Sequence, residues 1–238
     1  MKIDVIPYAS AIRPDLVKNK TVVVIDVLRA SSVMVTALAH GAKAFIPVVT
    51  VREALEKAKT IEASGEKVLL CGERDTKTIA GFHLGNSPLA YSRQKVEGKI
   101  LILTTSNGTQ ALNRLQEAES ISIGAFLNME ALVRHLLPKD HVVLVCSGTN
   151  NNFSMDDAMC AALFVDEMKK QKRVKLSDMA ITLLKAYQKD NGNLPLLLKD
   201  CYHLNLLKNN GFGKDVDYCL QKNLWHVVPV MKNGLIIK

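Results

Sequence analysis

Val22 to Ile25 form an unbroken run of β-branched residues, followed at once by Asp26, Arg29, Ser31 and Ser32. No other stretch constrains the chain as much. A run without a polar break suits a strand covered on both faces. Val33, Ala37 and Leu38 then recur at helical spacing up to Gly41, a C-terminal stop. Residues 21–32 therefore read as strand, charged turn and helix start. In open α/β sheets the ligand crevice lies at the carboxyl ends of the strands. A helix N-terminus there offers N–H groups and positive dipole to an anion. Asp26 and Arg29 together suggest a metal-assisted phosphate site; the alternative is an acid and an arginine that simply pair with each other.

The length of 238 residues accommodates one large α/β domain or two small lobes. Charged residues interrupt every apolar run before it reaches the length of a membrane span, and the start, MKIDVIPYAS, lacks the apolar stretch of a signal peptide. Five cysteines, Cys71, Cys146, Cys160, Cys201 and Cys219, show no CxxC pairing. A reduced, cytoplasmic chain is expected, without a thiolate zinc site. The net charge of +8 suits an anionic partner of some kind. Its densest cluster, KKQKRVK at residues 169–175, has no aromatic interleaving and reads as a solvated helix end. A small anionic substrate is expected, with neither nucleic acid nor membrane as partner; homo-oligomerisation is left open.

Taken in order, strands are predicted near residues 5–6 and at 22–27, 44–49, 67–71, 99–103, 120–123 and 141–146. Thr50 and Glu53 make a capping-box pattern for a helix to about Ala63, and Ser154 with Asp157 makes another. Asn128 is placed as the cap of a helix to Leu137. Residues 76–88, TKTIAGFHLGNSP, carry too many turn formers for regular structure, and such long connections are usually functional or mobile. Ser87-Pro88 then opens a short helix. Strands alternating with capped helices predict a three-layer α/β/α fold with a mostly parallel or mixed sheet. Residues 155–209 are expected to form a strand-free helical block, with Tyr202, Leu206 and Leu207 facing inward and His203 as packing or surface. A last helix is placed at residues 215–221, and Lys232-Asn233-Gly234 marks a closing hairpin.

Several catalytic templates are missing: GxxxxGK[ST], GxGxxG after a strand, GxSxG, and histidines at metal spacing. Any metal should be a hard one held by oxygen, hence Mg²⁺. What remains is a set of strand ends bearing complementary groups: Asp26 with Arg29, Glu73 with Arg74, Thr105 with Asn107 and Gly108, and Ser154 with Asp156 and Asp157. On a parallel sheet these turns share one edge. Carboxylates there would hold Mg²⁺, while arginines and helix starts receive phosphoryl oxygens.

VVIDVLRAS (23–31), GER (72–74), GFHLGNSP (81–88), TTSNGT (104–109) and FSMDDAMCA (153–161) resemble the 2-phosphosulfolactate phosphatase family, over nearly the whole chain and in order. The tail from Gly213 to Ile237 resembles that family's ending too. The resemblance implies an Mg²⁺-dependent hydrolase that converts (R)-2-phospho-3-sulfolactate to 3-sulfolactate and phosphate, a step toward coenzyme M. The alternative is a binding protein for an anionic metabolite on the same fold. Candidate catalytic residues are Asp26, Arg29 and Asp157, and candidate metal ligands are Asp26, Glu73 and Asp157. Substrate contacts are expected from Arg29, Ser31, Ser32, Arg74, Asn86, Ser87, Thr105, Asn107, Gly108 and Ser154. The sequence departs from the family's pattern at His83, where GFDLGNSP is usual, at Gln110, where a basic residue is usual, and at Asn151, where glycine is usual. His83 and Gln110 are expected to alter charge near the anion site.

Overall fold

The computed structural model describes residues 1–106 and 108–238. Among them, eleven strands form one mixed sheet: β1 (Lys2–Ile6), β2 (Thr21–Ile25), β3 (Ala44–Pro47), β4 (Val68–Arg74), β5 (Lys77–Thr78), β6 (Ile100–Thr104), β7 (Ser120–Gly124), β8 (His141–Cys146), β9 (Lys175–Leu176), β10 (Val230–Lys232) and β11 (Leu235–Ile237). Their order is β5-β4-β6-β3-β11-β10-β7-β2-β8-β1-β9.

The β2 run does what its composition requires. Val22 and Val24 enter one apolar cluster with the helix Ala30–Ala39, whereas Val23 and Ile25 enter another with the helices Met129–Leu136 and Met155–Gln171. Alternate side chains leave opposite faces of a strand, so β2 is covered on both and the fold has three layers. A third, smaller cluster packs the helix Val51–Ala63 onto β4 and β6 through Ala54, Ala58, Leu70 and Ile102. That helix is capped as read, with the Glu53 N–H donating to Thr50 Oγ1 at 3.1 Å.

Parallel pairing holds within two groups, β4-β6-β3 and β7-β2-β8-β1-β9. The β10–β11 hairpin joins them by antiparallel steps, through Val230↔Ser122 on one side and Ile236↔Phe45 on the other. Three such steps leave the two groups running in opposite senses. Even so, the turn after β6 abuts the turn after β2: a Cβ on Gly108 would lie 2.7 Å from Asp26 Oδ2. A flat sheet would put those turns on opposite edges. The sheet is therefore not flat: its twist and curvature between β6 and β2, not one shared parallel edge, bring the strand ends together.

Other expectations shift. β4 runs through Arg74 because the short β5 continues its pairing at Glu73↔Thr78 and Arg74↔Lys77. Asn128 precedes its helix without a side-chain cap; its amide instead accepts from the Ala125 N–H and donates to the Ile123 and Val227 carbonyls. The helical block is interrupted by β9, which pairs with β1. Tyr202 is 72 % exposed rather than inward, whereas Leu207 is buried. The last helix is Gly213–Cys219, and the closing hairpin turns at Asn233 and Gly234, both with positive φ. Asn151 also takes a positive φ, a conformation asparagine tolerates. Among the described residues, no helix is long and apolar enough to cross a membrane.

Candidate active site

The loop after β2 is built around its own backbone. Ser31 N–H donates to the Asp26 carbonyl at 2.8 Å and Ala30 N–H to Asp26 Oδ1 at 3.2 Å. The first N–H groups of the helix Ala30–Ala39 are thereby occupied within the turn. The Ser31 hydroxyl receives the Asp26 N–H at 2.9 Å, and the Ser32 hydroxyl donates to the Val27 carbonyl at 2.8 Å. Both serines thus shape the loop, and neither lines the cavity described next.

That cavity is bounded by five further segments. Asp26, Leu28 and Arg29 supply one wall. Glu73, Asp75 and Thr76 come from the β4–β5 hairpin, Asn86 from the connection after it, and Thr105 and Ser106 from the turn after β6. Thr149 and Asn150 follow β8, and His203, Leu206 and Leu207 arrive from the helix Tyr202–Asn209. Asn107 lies outside the described residues, as does the side chain of Gln110. Gly108 closes the cradle from behind, where a side chain would meet Asp26.

Arg29 is 2 % exposed and its guanidinium is held on three sides. It donates to Asp215 Oδ2 at 2.6 Å and to the Thr76 carbonyl at 3.1 Å, and it stacks on Phe212, 4.1 Å from the ring centroid. Ser87 does not line the cavity; its hydroxyl donates to Asp215 Oδ1 at 2.7 Å, steadying the same carboxylate. Glu73 accepts from Ser106 N–H at 2.8 Å and Thr76 N–H at 3.1 Å, so it fastens the β6 turn to the β4–β5 hairpin. Arg74 points elsewhere: its guanidinium serves the Val49 carbonyl at 3.2 Å and Thr104 Oγ1 at 2.9 Å. Asn86 is buried in the lining, and its Oδ1 has no hydrogen-bond partner among the described residues.

Asp157 sits behind the wall. Its oxygens accept from Val27 N–H at 2.8 Å and Gly148 N–H at 2.9 Å, which ties the β2 loop to the β8 loop. The capping box read at Ser154 and Asp157 does not form, because each side chain has this other work. The Ser154 hydroxyl donates to Asp156 Oδ1 and pairs with Thr149 Oγ1 at 3.0 Å. Asp156, 1 % exposed, stands 3.4 Å from His203 Nδ1 through its other oxygen.

These carboxylates respond to burial in different ways. Burial pushes the Asp26 carboxyl up to about 6, with Asp156 and Glu73 adding to it against His203 and the Ala30 N–H. Asp157 is driven up by burial and by Asp156 and Asp26, despite its two N–H donors. Burial also acts to raise Asp156, but His203 and Ser154 outweigh it and hold that carboxyl low. His203 is held above its ordinary value because Asp156 and Asp26 outweigh desolvation.

His203 and Asp215 are the residues that sequence reasoning missed. Helical spacing carried a signal for His203, since it shares a face with the buried Leu207 four residues on. For Asp215 there was none: its partner Arg29 is remote in the chain. His83, one of the departures from the family pattern, is exposed on the outside of β4, where its Nδ1 accepts from Leu70 N–H at 2.9 Å. It does not line the cavity, so the expected change of charge there does not arise from it. Among the described residues, no group of three or more His, Cys, Asp or Glu side chains is arranged to hold a metal ion. Asp26 and Glu73 are nonetheless two hard-oxygen donors facing one cavity.

The 2-phosphosulpholactate phosphatase family model matches residues 8–234. A protein of Clostridium perfringens strain SM101 named "Probable 2-phosphosulfolactate phosphatase" is 47 % identical over 237 residues, 99 % of this chain and 96 % of that protein. Proteins of the same name from Clostridium beijerinckii and Thermotoga petrophila are 41 % and 42 % identical, covering 99 % and 93 % of each chain respectively. With the family model matched over nearly its full length and relatives this similar along nearly all of it, the chain belongs to the 2-phosphosulpholactate phosphatase family.

Proposed function

We propose that the protein is a cytoplasmic phosphoric monoester hydrolase acting on 2-phospho-3-sulfolactate or a closely related small phosphorylated acid, with Mg²⁺ held by Asp26 and Glu73. The observation that carries this reading is the convergence of Asp26, Arg29, Glu73 and Thr105, from three separate strand ends, on one cavity. The relatives' shared name supplies the substrate class.

The charge of the lining supports the metal. Asp26, Glu73 and Asp75 are all acidic, and Arg29 is already paired with Asp215. Burial raises the Asp26 carboxyl, and a cation bound beside it would favour its ionised form. A phosphate ester that also carries carboxylate and sulfonate would enter a field of its own sign unless cations came with it. Mg²⁺ is characteristically bound through one or two carboxylates, with water and phosphate oxygens completing the octahedron. Glu73 accepts one N–H on each oxygen and keeps lone pairs for such a role. Asp157 is left out of this ligand set, because it lies behind the wall and braces two loops.

Phosphoryl transfer demands charge stabilisation and in-line positioning more than covalent chemistry from the protein. Bound at this site, Mg²⁺ would supply positive charge to the phosphoryl oxygens and lower the pKa of water. Arg29, fixed by Asp215 and Phe212, presents a cation that cannot swing away. The buried Asn86 Oδ1 is an acceptor awaiting a donor, such as the attacking water or a substrate hydroxyl.

Phosphate release from 2-phospho-3-sulfolactate, measured for wild type and Asp26→Asn with and without EDTA, tests the proposal. Loss of turnover in both EDTA and the variant is expected. Turnover that survives EDTA removes the metal, and turnover that survives the substitution removes Asp26.

A further inference from the structure

Among the described residues His203 is the one imidazole in the lining, and no step of the proposed hydrolysis uses it. Its side chain is 12 % exposed, and it faces the same cavity as Asp26, Glu73 and Thr105. Nδ1 lies 3.4 Å from Asp156 Oδ2, a buried oxygen without an aligned hydrogen bond among the described residues. Asp156 is itself steadied, since its other oxygen accepts the Ser154 hydroxyl, and Ser154 pairs with Thr149. A carboxylate on one ring nitrogen fixes the ring's orientation and tautomer and leaves the other nitrogen to act. With Nδ1 turned to Asp156, Nε2 is the nitrogen that remains for a molecule in the cavity.

Ester hydrolysis at this site calls for such a group. The leaving oxygen of a lactate-type ester departs as an alkoxide, and here it would do so beside the carboxylates of Asp26 and Glu73. An alkoxide as basic as that of a lactate is a poor leaving group unless a proton reaches it. The geometry points to His203 as the proton donor to the leaving oxygen of the phosphate ester, with Asp156 as its positioning residue. This inference rests on the hydrolase reading and adds a residue to it.

The step balances. The P–O ester bond breaks with its electron pair going to the ester oxygen, and the Nε2 proton moves to that oxygen to give the alcohol. Water forms the new P–O bond and loses a proton, which restores His203 by way of solvent and leaves inorganic phosphate.

The test uses two esters of nearly one shape and different leaving-group basicity: 2-phospholactate and 2-phospho-3,3,3-trifluorolactate. Phosphate release is measured for wild type, His203→Gln, His203→Ala and Asp156→Asn, with circular dichroism to verify folding. On the first ester His203→Gln should lose about 10²–10⁴-fold in kcat, the usual contribution of a general acid. On the trifluoro ester, whose alkoxide needs a proton less, the loss should be at least roughly tenfold smaller. Asp156→Asn should show the same asymmetry in weaker form. Equal losses on both esters, or none, overturn the assignment. If wild type releases phosphate from 2-phospho-3-sulfolactate alone, an unchanged kcat for His203→Gln on that ester overturns the assignment; release from none of the three esters defeats the hydrolase reading itself, and so is told apart from failure of this one.

Discussion

Arg29 and Asp215, 186 positions apart in the chain, meet at 2.6 Å with both side chains nearly sealed from water. Each would be an unpaired buried charge without the other. Removing one partner of such a pair costs about 3–5 kcal/mol, mostly from stranding the other. Asp215→Ala is therefore expected to lower the unfolding free energy obtained from urea denaturation by that much and to misplace Arg29 in the cavity. Replacing the pair together by Met and Leu should recover most of the stability and none of the activity. A single variant as stable as wild type would show that the pair is not sealed.

Asp157 accepts N–H groups from two loops, and its amide analogue can accept only through one oxygen. Asp157→Asn should leave the Val27 or Gly148 N–H without a partner, at about 1–3 kcal/mol. Being a brace, it should reduce kcat without changing the Mg²⁺ concentration needed for half-maximal activity, whereas Asp26→Asn should raise that concentration steeply. A large shift in Mg²⁺ requirement for Asp157→Asn would restore it to the ligand set.

Gly72 lies where β4 presses on β6. A Cβ there would stand 2.1 Å from the Thr104 carbonyl oxygen, and backbone cannot move aside as a side-chain tip can. Gly72→Ala is expected to destabilise by about 1–3 kcal/mol or more through overpacking. It should also disturb Glu73 next to it, lowering activity. An unchanged unfolding midpoint would mean that the two strands separate easily at this point.

Acid sensitivity is expected from Asp4 on β1, whose Oδ2 meets His141 Nε2 at 2.7 Å across the β1–β8 pair. Burial acts to raise the Asp4 carboxyl, but the hydrogen bonds from His141 and Lys2 outweigh it and hold it below the ordinary value. Stability from this contact is thus present above the usual carboxylate range and is lost as pH falls through the lowered value. Because Asp4 and His141 both remain partly open to solvent, the effect should be about 1 kcal/mol or less. Asp4→Asn should flatten that part of the stability-against-pH curve; an identical curve would deny the contact any role.

Some of this was legible in residue order. The β-branched run at Val22–Ile25 demanded cover on both faces, and alternation at period two is enough to place its side chains in two cores. The capped helix Val51–Ala63 and the Asn233-Gly234 hairpin were equally local, since a cap or a tight turn involves residues within a few positions of one another. Polar side chains were harder. Ser31, Ser32, Ser87, Arg74 and Ser154 looked like ligand contacts, yet they hold loops or other side chains in place. A hydroxyl or guanidinium in a turn satisfies backbone or ligand equally well, and only its neighbours in space decide which.

The sequence by itself determined the layers and the family, because periodicity, turn chemistry and a series of distinctive blocks all reside in short stretches of chain. The tertiary structure alone decided that the ends of β2 and β6 meet, that Asp215 locks Arg29, and that His203, backed by Asp156, joins Asp26 and Glu73 around one cavity. These depend on which buried charge finds which partner. That choice is made by distance through space between segments brought together only in the packed molecule, and nothing in local spacing encodes it.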